Sequence, residues 1–353
     1  MIMKTILITG GAGFIGINTA RYFLEKEWRV VVVDNLSRNG SAVNLDWLLS
    51  QYPTNQRPFT YVVLDIIDSD GYCLNELMQD ISPDVILHAA AQVAVTNSVA
   101  DPRYDFKVNA LGTINMLEAA RMSSVNPVFI FTSTNKVYGS METVGIYENN
   151  RRYDFGDEKL TMGVPEEYPL DFHSPYGCSK GAADQYVRDY YRIYGLPTVV
   201  FRQSCIYGER QFGIVDQGWV AYLTARAMLD MPITIYGNGK QVRDILFMDD
   251  LCGAFFSAIA CIEKSTGQIY NIGGGPKNTV SVIDFIHLLG KKLGKTIKYS
   301  FSDWRPGDQK IYISDIRKAQ RDFDWHPEVN MEVGIDKMIN WTKQNLKLLQ
   351  KNM

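Results

Sequence analysis

The stretch Thr5-Ile6-Leu7-Ile8-Thr9-Gly10-Gly11-Ala12-Gly13-Phe14-Ile15-Gly16 decides the fold of this chain. Its first five residues form a short apolar run, and apolar residues recur at helical spacing from Phe14 to Lys26. The order is therefore strand, glycine turn, helix. Gly10, Gly13 and Gly16 satisfy GxxGxxG, while Gly11, Gly13 and Gly16 satisfy GxGxxG. Glycine is required because the backbone must turn tightly and approach a pyrophosphate without a Cβ in the way. The helix behind it offers N–H groups and a partial positive charge to phosphate. A tight turn that binds nothing is the alternative. The strand before and the helix after the glycines favour a dinucleotide site.

Working outward, the same alternation repeats. Arg29–Val33 is a second apolar run that ends at Asp34, and Tyr61–Leu64, Asp84–His88 and Val128–Phe131 follow. Asp101–Met122 carries Phe106, Leu111, Ile114 and Leu117 at helical intervals. Short apolar strands separated by helices predict βαβ units and a parallel sheet buried on both faces. The fold class expected is α/β, a Rossmann-type doubly wound parallel sheet with a smaller mixed α/β substrate domain. The second half is less regular. Pro175–Tyr194, Trp219–Leu229, Asp249–Ile262, Val282–Leu293 and Val333–Leu348 read as helices, and Pro197–Phe201 as a strand. The division expected is 1–190 for the dinucleotide domain, with segments returned from about 235–265, and 191–353 for the substrate domain. Between Gly139 and Asp171 there is little periodicity. Loops longer than about 12–15 residues are commonly functional or disordered. That stretch reads either as a solvated insertion or as a lid or subunit contact.

Composition excludes several classes. The 353 residues are 46% hydrophobic and 21% charged, which is ordinary globular composition. A formal net charge of -3 argues against a broad nucleic-acid or lipid-binding surface. No apolar run approaches the roughly 20 residues a membrane-spanning helix needs, and Met1-Ile2-Met3-Lys4 runs directly into the first strand. The expectation is a cytoplasmic protein with no secretory signal, no nucleic-acid partner and no membrane partner. Cys73, Cys178, Cys205, Cys252 and Cys261 are scattered without a CxxC pair, so reduced thiols and no metal site are expected. Cys178 is expected to pack inside.

Asp34 stands 18 residues after Gly16, where a carboxylate accepts hydrogen bonds from both ribose hydroxyls and repels a 2′-phosphate. NAD is therefore expected over NADP, although Arg38 close by suits either adenine stacking or a 2′-phosphate. Asp65-Ile66 follows the third strand, where adenine would lie. The small residues of His88-Ala89-Ala90-Ala91 let a cofactor lie against the backbone, with His88 expected to be packed rather than catalytic. Tyr176 and Lys180 are four apart on a predicted helix and so share a face. A phenol with an ordinary pKa of about 10 is a weak base. A neighbouring ammonium and a cationic nicotinamide are expected to lower it. Ser133-Thr134 ends the intervening strand and offers a hydroxyl to the same substrate oxygen.

Together the glycine loop, Thr134, Asn109 in Asn109-Ala110-Leu111-Gly112-Thr113, and the Tyr176/Lys180 pair resemble the extended short-chain dehydrogenase/reductase family over nearly the whole chain. The resemblance implies catalysis by Thr134, Tyr176 and Lys180. It implies an NAD site formed by Gly10, Gly13, Phe14, Ile15, Gly16, Asp34, Asn35, Ser37, Arg38, Asp65, Ile66, Ala89, Ala91, Asn109, Tyr176 and Lys180. Tyr236-Gly237-Asn238-Gly239-Lys240-Gln241-Val242-Arg243-Asp244 and Arg305-Pro306-Gly307-Asp308 resemble segments that hold a nucleotide diphosphate in nucleotide-sugar enzymes. The substrate set implied is Gln92, Thr134, Ser204, Cys205, Arg210, Gln217, Arg243 and Arg305.

The residues after Thr134 narrow the reaction. Dehydratases of the family carry an Asp-Glu pair there, and this chain has Asn135-Lys136. An epimerase or a simple dehydrogenase is left. The strings Ser133–Gly139, Asp171–Tyr186 and Asp216–Trp219 most resemble the CDP-tyvelose (CDP-paratose) 2-epimerases of the family. That resemblance implies a nucleotide-diphosphate sugar partner, CDP-linked by preference, and a homodimer or homotetramer. Cys205 stands where many nucleotide-sugar epimerases have an asparagine on the diphosphate. A 4-epimerase, a nucleotide-sugar dehydrogenase or reductase, and a non-catalytic NAD sensor remain open readings.

Overall fold

The computed structural model describes residues 3–53, 58–67, 71–305 and 307–352; Met1, Ile2 and Pro306 of the segments quoted above lie outside them. The chain divides into two compact units. One comprises Met1–Thr134, Pro175–Arg202 and Phe255–Tyr270, the other Asn135–Ser174, Gln203–Ala254 and Asn271–Met353.

The first unit is built on a seven-stranded sheet. Its strands β1 (Thr5–Thr9), β2 (Arg29–Asp34), β3 (Phe59–Val63), β4 (Val85–His88) and β5 (Val128–Thr134) come in chain order, followed by Thr198–Gln203 and Gln268–Ile272. The spatial order is Gln268–Ile272, Thr198–Gln203, β5, β4, β1, β2, β3. β1 pairs in parallel with β2 and β4, β2 with β3, and β4 with β5. The order reverses at the β1/β4 junction, which is the topological switch point where doubly wound sheets bind ligands. β1 is buried at every position because helices cover both faces, whereas β3 closes the edge and exposes Tyr61 and Val63. One face packs Leu7, Ile86, Phe129 and Phe131 against Leu74, Met78, Met116 and Leu117.

Helix α1 (Phe14–Glu25) follows β1 as its spacing requires, with Ile17, Ala20, Phe23 and Leu24 buried. Helices α2 (Ser41–Gln51) and α3 (Gly71–Ile81) supply the next crossovers. The stretch from Asp101 to Met122 is helical, but it contains a π turn at Lys107–Leu111 between Pro102–Phe106 and Gly112–Met122. Such bulges collect at functional sites, and Asn109 sits inside this one.

The second unit has its own core, formed by Tyr207, Val220, Leu223, Ile235, Phe247, Phe285 and Ile335. Val242–Phe247 is its central strand. It pairs in parallel with Cys205–Tyr207 and Ile311–Tyr312 and antiparallel with Thr279–Ser281. The solvated-insertion reading of 139–171 is corrected by this unit. Ile146–Glu148 and Tyr153–Phe155 form an antiparallel hairpin, and Met141, Leu160 and Val164 join Val137, Tyr138 and Tyr312 in a buried cluster. Three-residue strands carry too little periodicity to announce themselves. Cys178 is exposed rather than packed, because the buried face of its helix belongs to Tyr176, Ser179 and Lys180. Among the described residues no helix is long and apolar enough to cross a membrane.

Candidate active site

The glycine loop lies at the β1/β4 junction. Gly10 has φ +64°, and a Cβ there would come within 2.6 Å of the Ala90 nitrogen. A Cβ on Gly16 would strike the Gly10 carbonyl, so this glycine sets how closely α1 packs on the turn. Gly13 is different. A Cβ there would meet only the Gly10 oxygen, at 3.1 Å. The protein's own packing therefore leaves space beside Gly13. Gly13 is also the N-cap of α1, with no side-chain cap and no acidic residue in the first turn. Phe14, Ile15 and Gly16 form that turn, the arrangement an anion requires.

At the end of β2, Asp34 accepts from the amides of Ala12 (3.0 Å) and Leu36 (2.8 Å), one on each carboxylate oxygen. The Gly13 amide also bonds this carboxylate, and since a carboxylate accepts about four hydrogen bonds, some acceptor capacity remains. Burial raises its pKa, and the amides and Arg38 pull it back. The surrounding chain lowers the pKa of Arg38, while Tyr176 and Asp34 favour its charged form. Asn35 donates to Asp65 at 2.7 Å, and its carbonyl takes the hydroxyl of Ser37 at 2.7 Å. Ile66 is buried against Gly112, and Ala89 donates to Thr9 at 3.1 Å. His88 is wholly buried, with its ring between the hydroxyls of Thr9 (2.7 Å) and Thr113 (3.0 Å). Burial, helped by Lys180, drives its pKa down to about 3, so it is neutral packing, as its place in the sequence suggests.

The helix Ser174–Tyr194 buries Tyr176, Lys180 and Asp184, spaced by four on one face. Tyr176 shares a hydrogen bond with the hydroxyl of Thr134. In the protein alone the neighbouring lysine does not lower the phenol pKa. Burial pushes it up to about 12, Asp105 adds to the rise, and Thr134 and Arg38 oppose it. Lys180 is occupied elsewhere: its Nζ donates to the Thr132 carbonyl at 2.7 Å and lies 4.0 Å from the Phe131 ring centre. Burial pulls its pKa down to about 7 against the pull of Asp184 and Asp105.

Asp105, Ser179, Asp184 and Arg202, which hold this helix together with Asn109 and Gln92, were not singled out from the sequence. Ser179 donates to Asp105 at 2.5 Å, and Asn109 donates to Asp105 and Ser179 at 3.1 Å each. Asn109 also clamps the backbone of Gln92 through both ends of its amide. Gln92 in turn donates to Asp105 (2.8 Å) and Ala94 (2.9 Å) and accepts from Ala94 (2.7 Å). The Asp105/Asn109 spacing of four on one helix was the available signal. Asp184 takes Ser133 (2.7 Å) and the buried guanidinium of Arg202 (2.9 and 3.0 Å), a pairing across 18 residues that local periodicity does not reveal.

The first unit thus gathers the glycine loop, Asp34, Thr134, Tyr176, Lys180, Asn109 and Gln92. The remaining expected substrate residues all belong to the second unit. Ser204 bonds the carboxylate of Asp244 and donates to its carbonyl at 3.1 Å. Cys205 accepts from the Trp219 indole at 3.4 Å, and burial raises its thiol pKa. Arg243 is buried, donates to the Val242 carbonyl at 2.8 Å and lies 3.7 Å from Asp308. Arg305 lies over the Tyr236 ring at 3.8 Å and pairs with Asp216 at 3.5 Å. Arg210 has φ +63° and a pKa that burial lowers to about 10. The backbone of Gln217 exchanges bonds with Ile214 at 2.9 and 3.1 Å.

Comparison with known proteins places this geometry. The chain is 42% identical to the CDP-paratose 2-epimerase of Salmonella typhi over 342 residues, covering 96% of this chain and 98% of the relative. The UDP-glucose 4-epimerase of Thermotoga maritima, solved with UDP-glucose, superposes with a TM-score of 0.81 at 31% identity over 97% of this chain and 99% of its own. The UDP-glucuronic acid 4-epimerase of Bacillus cereus, solved with UDP-glucuronic acid and NAD, gives a TM-score of 0.81 at 28% identity over 96% and 99%. Residues 7–338 match the protein-family model described as GDP-mannose 4,6 dehydratase. The chain belongs to that family, a branch of the extended short-chain dehydrogenases/reductases.

Proposed function

We propose that this protein is an NAD-dependent nucleotide-sugar epimerase that inverts C2 of a CDP-linked 3,6-dideoxyhexose, interconverting CDP-paratose and CDP-tyvelose. The observation that carries this reading is the 42% identity to a CDP-paratose 2-epimerase over nearly the full length of both chains. Asn135-Lys136 agrees with it, since neither side chain replaces the carboxylates that water elimination requires.

The first unit fits NAD. The space beside Gly13 and the uncapped first turn of α1 suit a pyrophosphate, and the remaining acceptor capacity of Asp34 at the end of β2 suits a ribose hydroxyl. NAD is favoured over NADP by the same carboxylate. The chemistry the cofactor supplies when bound is removal of a hydride from the reacting carbon and its return to the opposite face. Tyr176 takes the proton of the reacting hydroxyl and gives it back. Thr134 hydrogen-bonds that oxygen and favours the phenolate. Lys180, pinned by Thr132, brings an amino group beside the cofactor ribose. Burial holds Tyr176 protonated at neutral pH, so the phenol becomes a base only when positive charge is brought against it. That coupling ties proton removal to an occupied site. Arg243 and Arg305 of the second unit hold the diphosphate, for which a planar guanidinium fork is suited. Tyr186, Ile193 and Tyr194, exposed on the Tyr–Lys helix, support a homo-oligomer.

Proton NMR of the purified protein with CDP-paratose tests the reading. Appearance of CDP-tyvelose without added NAD is expected. Turnover only of a UDP-sugar would favour a 4-epimerase, net consumption of added NAD a dehydrogenase, and NAD binding with no turnover of any nucleotide sugar a sensor.

A further inference from the structure

Lys136 occupies a position the family's dehydratases give to a carboxylic acid, and its surroundings in the second unit are specific. Its Nζ donates to the Gly307 carbonyl and to the Gln309 amide oxygen, each at 3.4 Å. Gln309 is fully buried and also accepts from Asn135 at 3.3 Å, while it donates to Gly139 at 2.6 Å. The charged and titratable groups facing Lys136 come from three elements: Arg243 on Val242–Phe247, Cys205 on Cys205–Tyr207, and Asp308 on the segment before Ile311–Tyr312. Arg243 is 3.7 Å from Asp308. Of the groups that act on Lys136, two cations thus face one carboxylate, and the thiol of Cys205 stays neutral because burial raises its pKa. The carboxylate of Asp244, on the side of Cys205, is taken up by Ser204, Gly275 and Ser314. Two cations facing a single carboxylate favour an anion beside them.

We infer that Lys136 is a substrate-binding residue that, with Arg243, holds the phosphate attached to C1 of the sugar, and that it thereby favours reaction at C2. The inference rests on the nucleotide-sugar reading above. Lys136 follows Thr134 by two residues, so their Cα atoms are at most about 7 Å apart. Thr134 is assigned to the reacting oxygen. O2 is vicinal to the anomeric oxygen that carries the phosphate, whereas O4 lies across the ring. A cation held so close along the chain to the hydroxyl that marks the reacting oxygen suits a phosphate on the neighbouring carbon. Lys136 acts as a point charge and Arg243 as a fork, so the pair accommodates a tetrahedral phosphate without matching its exact orientation.

The ammonium must be charged to work. Burial above all, with Arg243, lowers its pKa to about 8 against the opposing pull of Asp308. Phosphate affinity should thus be present at neutral pH and decline as pH rises through that value. The experiment is calorimetric titration of the wild-type protein and of K136R with CDP and with CMP from pH 7 to 10. The CMP/CDP ratio of dissociation constants reports the β-phosphate alone. It is expected to fall about tenfold across that range in wild type and to stay level in K136R, which keeps the Cys205 thiol and so controls for its ionisation. In K136M at pH 7 the CDP constant should rise at least tenfold with the CMP constant within about twofold of wild type. A ratio that does not move with pH in wild type, or K136M binding CDP as wild type does, overturns the inference, and so does equal weakening of CDP and CMP. If the wild-type protein prefers another base, the epimerase reading fails on substrate. The same ratio is then measured with that base's mono- and diphosphate, and the inference stands or falls on it separately. Absence of binding by every nucleoside diphosphate overturns both.

Discussion

Thr134 and Tyr176, from the end of a central strand and the first turn of a helix, share a hydrogen bond inside the first unit. The bond favours the phenolate, while burial favours the phenol more strongly and pushes the pKa up to about 12. The protein before cofactor binding therefore holds its proposed base protonated. This differs from a site in which a neighbouring lysine alone activates the tyrosine, since Lys180 is directed to the Thr132 carbonyl.

Removing either partner should lower turnover. Tyr176→Phe is expected to cost about 10²–10⁴-fold in kcat, the range of general acid–base catalysis, with NAD still recovered from the unfolded protein. Thr134→Val removes a group that lowers the phenol pKa, so less phenolate forms at a given pH. The ascending limb of kcat/KM, where the phenol loses its proton, should move to higher pH, with activity at pH 8 down at least about tenfold. Initial rates between pH 6 and 10 measure both. Full activity in either variant contradicts the assignment.

The glycines make separable predictions. Gly13→Ala has φ -69° to work with and only the Gly10 oxygen to displace, so the protein should fold with a melting temperature near wild type. Its methyl would fill the space beside the first turn of α1, and NAD affinity should fall at least about tenfold. Gly10→Ala would require positive φ and drive a methyl into Ala90, so both stability and NAD content should drop. Calorimetric melting and NAD titration of the two variants distinguish them. Unchanged NAD affinity in Gly13→Ala contradicts the cofactor site.

His88 links stability to pH. Its folded pKa is depressed to about 3 from an ordinary value of 6.5. Its contribution is present above pH 6.5 and is lost as pH falls toward 3, because the unfolded chain binds a proton that the folded chain does not. Between pH 7 and pH 5 this group should cost roughly 2 kcal/mol. Urea unfolding at the two values measures the loss. His88→Gln should remove that part of the pH dependence, and the same slope in wild type and variant would contradict the assignment.

Much of this was legible locally. The glycine run, the apolar strands, Asp34 at the end of β2 and the Tyr176/Lys180 spacing each follow from neighbouring residues, and the structure places them at one end of one sheet. The same applies to His88, expected at the end of its strand to be packed rather than catalytic. What escaped depends on partners distant in sequence. Asp105 meets Ser179 across 74 residues, and Asp184 meets Ser133 across 51. The raised pKa of Tyr176 comes from burial by the whole unit, which a four-residue spacing does not encode. The 139–171 stretch looked structureless because its two strands are three residues long and its buried side chains pack on Tyr312.

The central claim is that the hydrogen removed from C2 is the hydrogen returned. Running CDP-paratose through the enzyme in D₂O and recording the proton spectrum of the CDP-tyvelose formed tests it most directly. The account predicts a full-intensity H2 signal in the product, with no deuterium at the inverted carbon. Deuterium at C2 would show exchange with solvent, and inversion would then proceed by deprotonation of carbon.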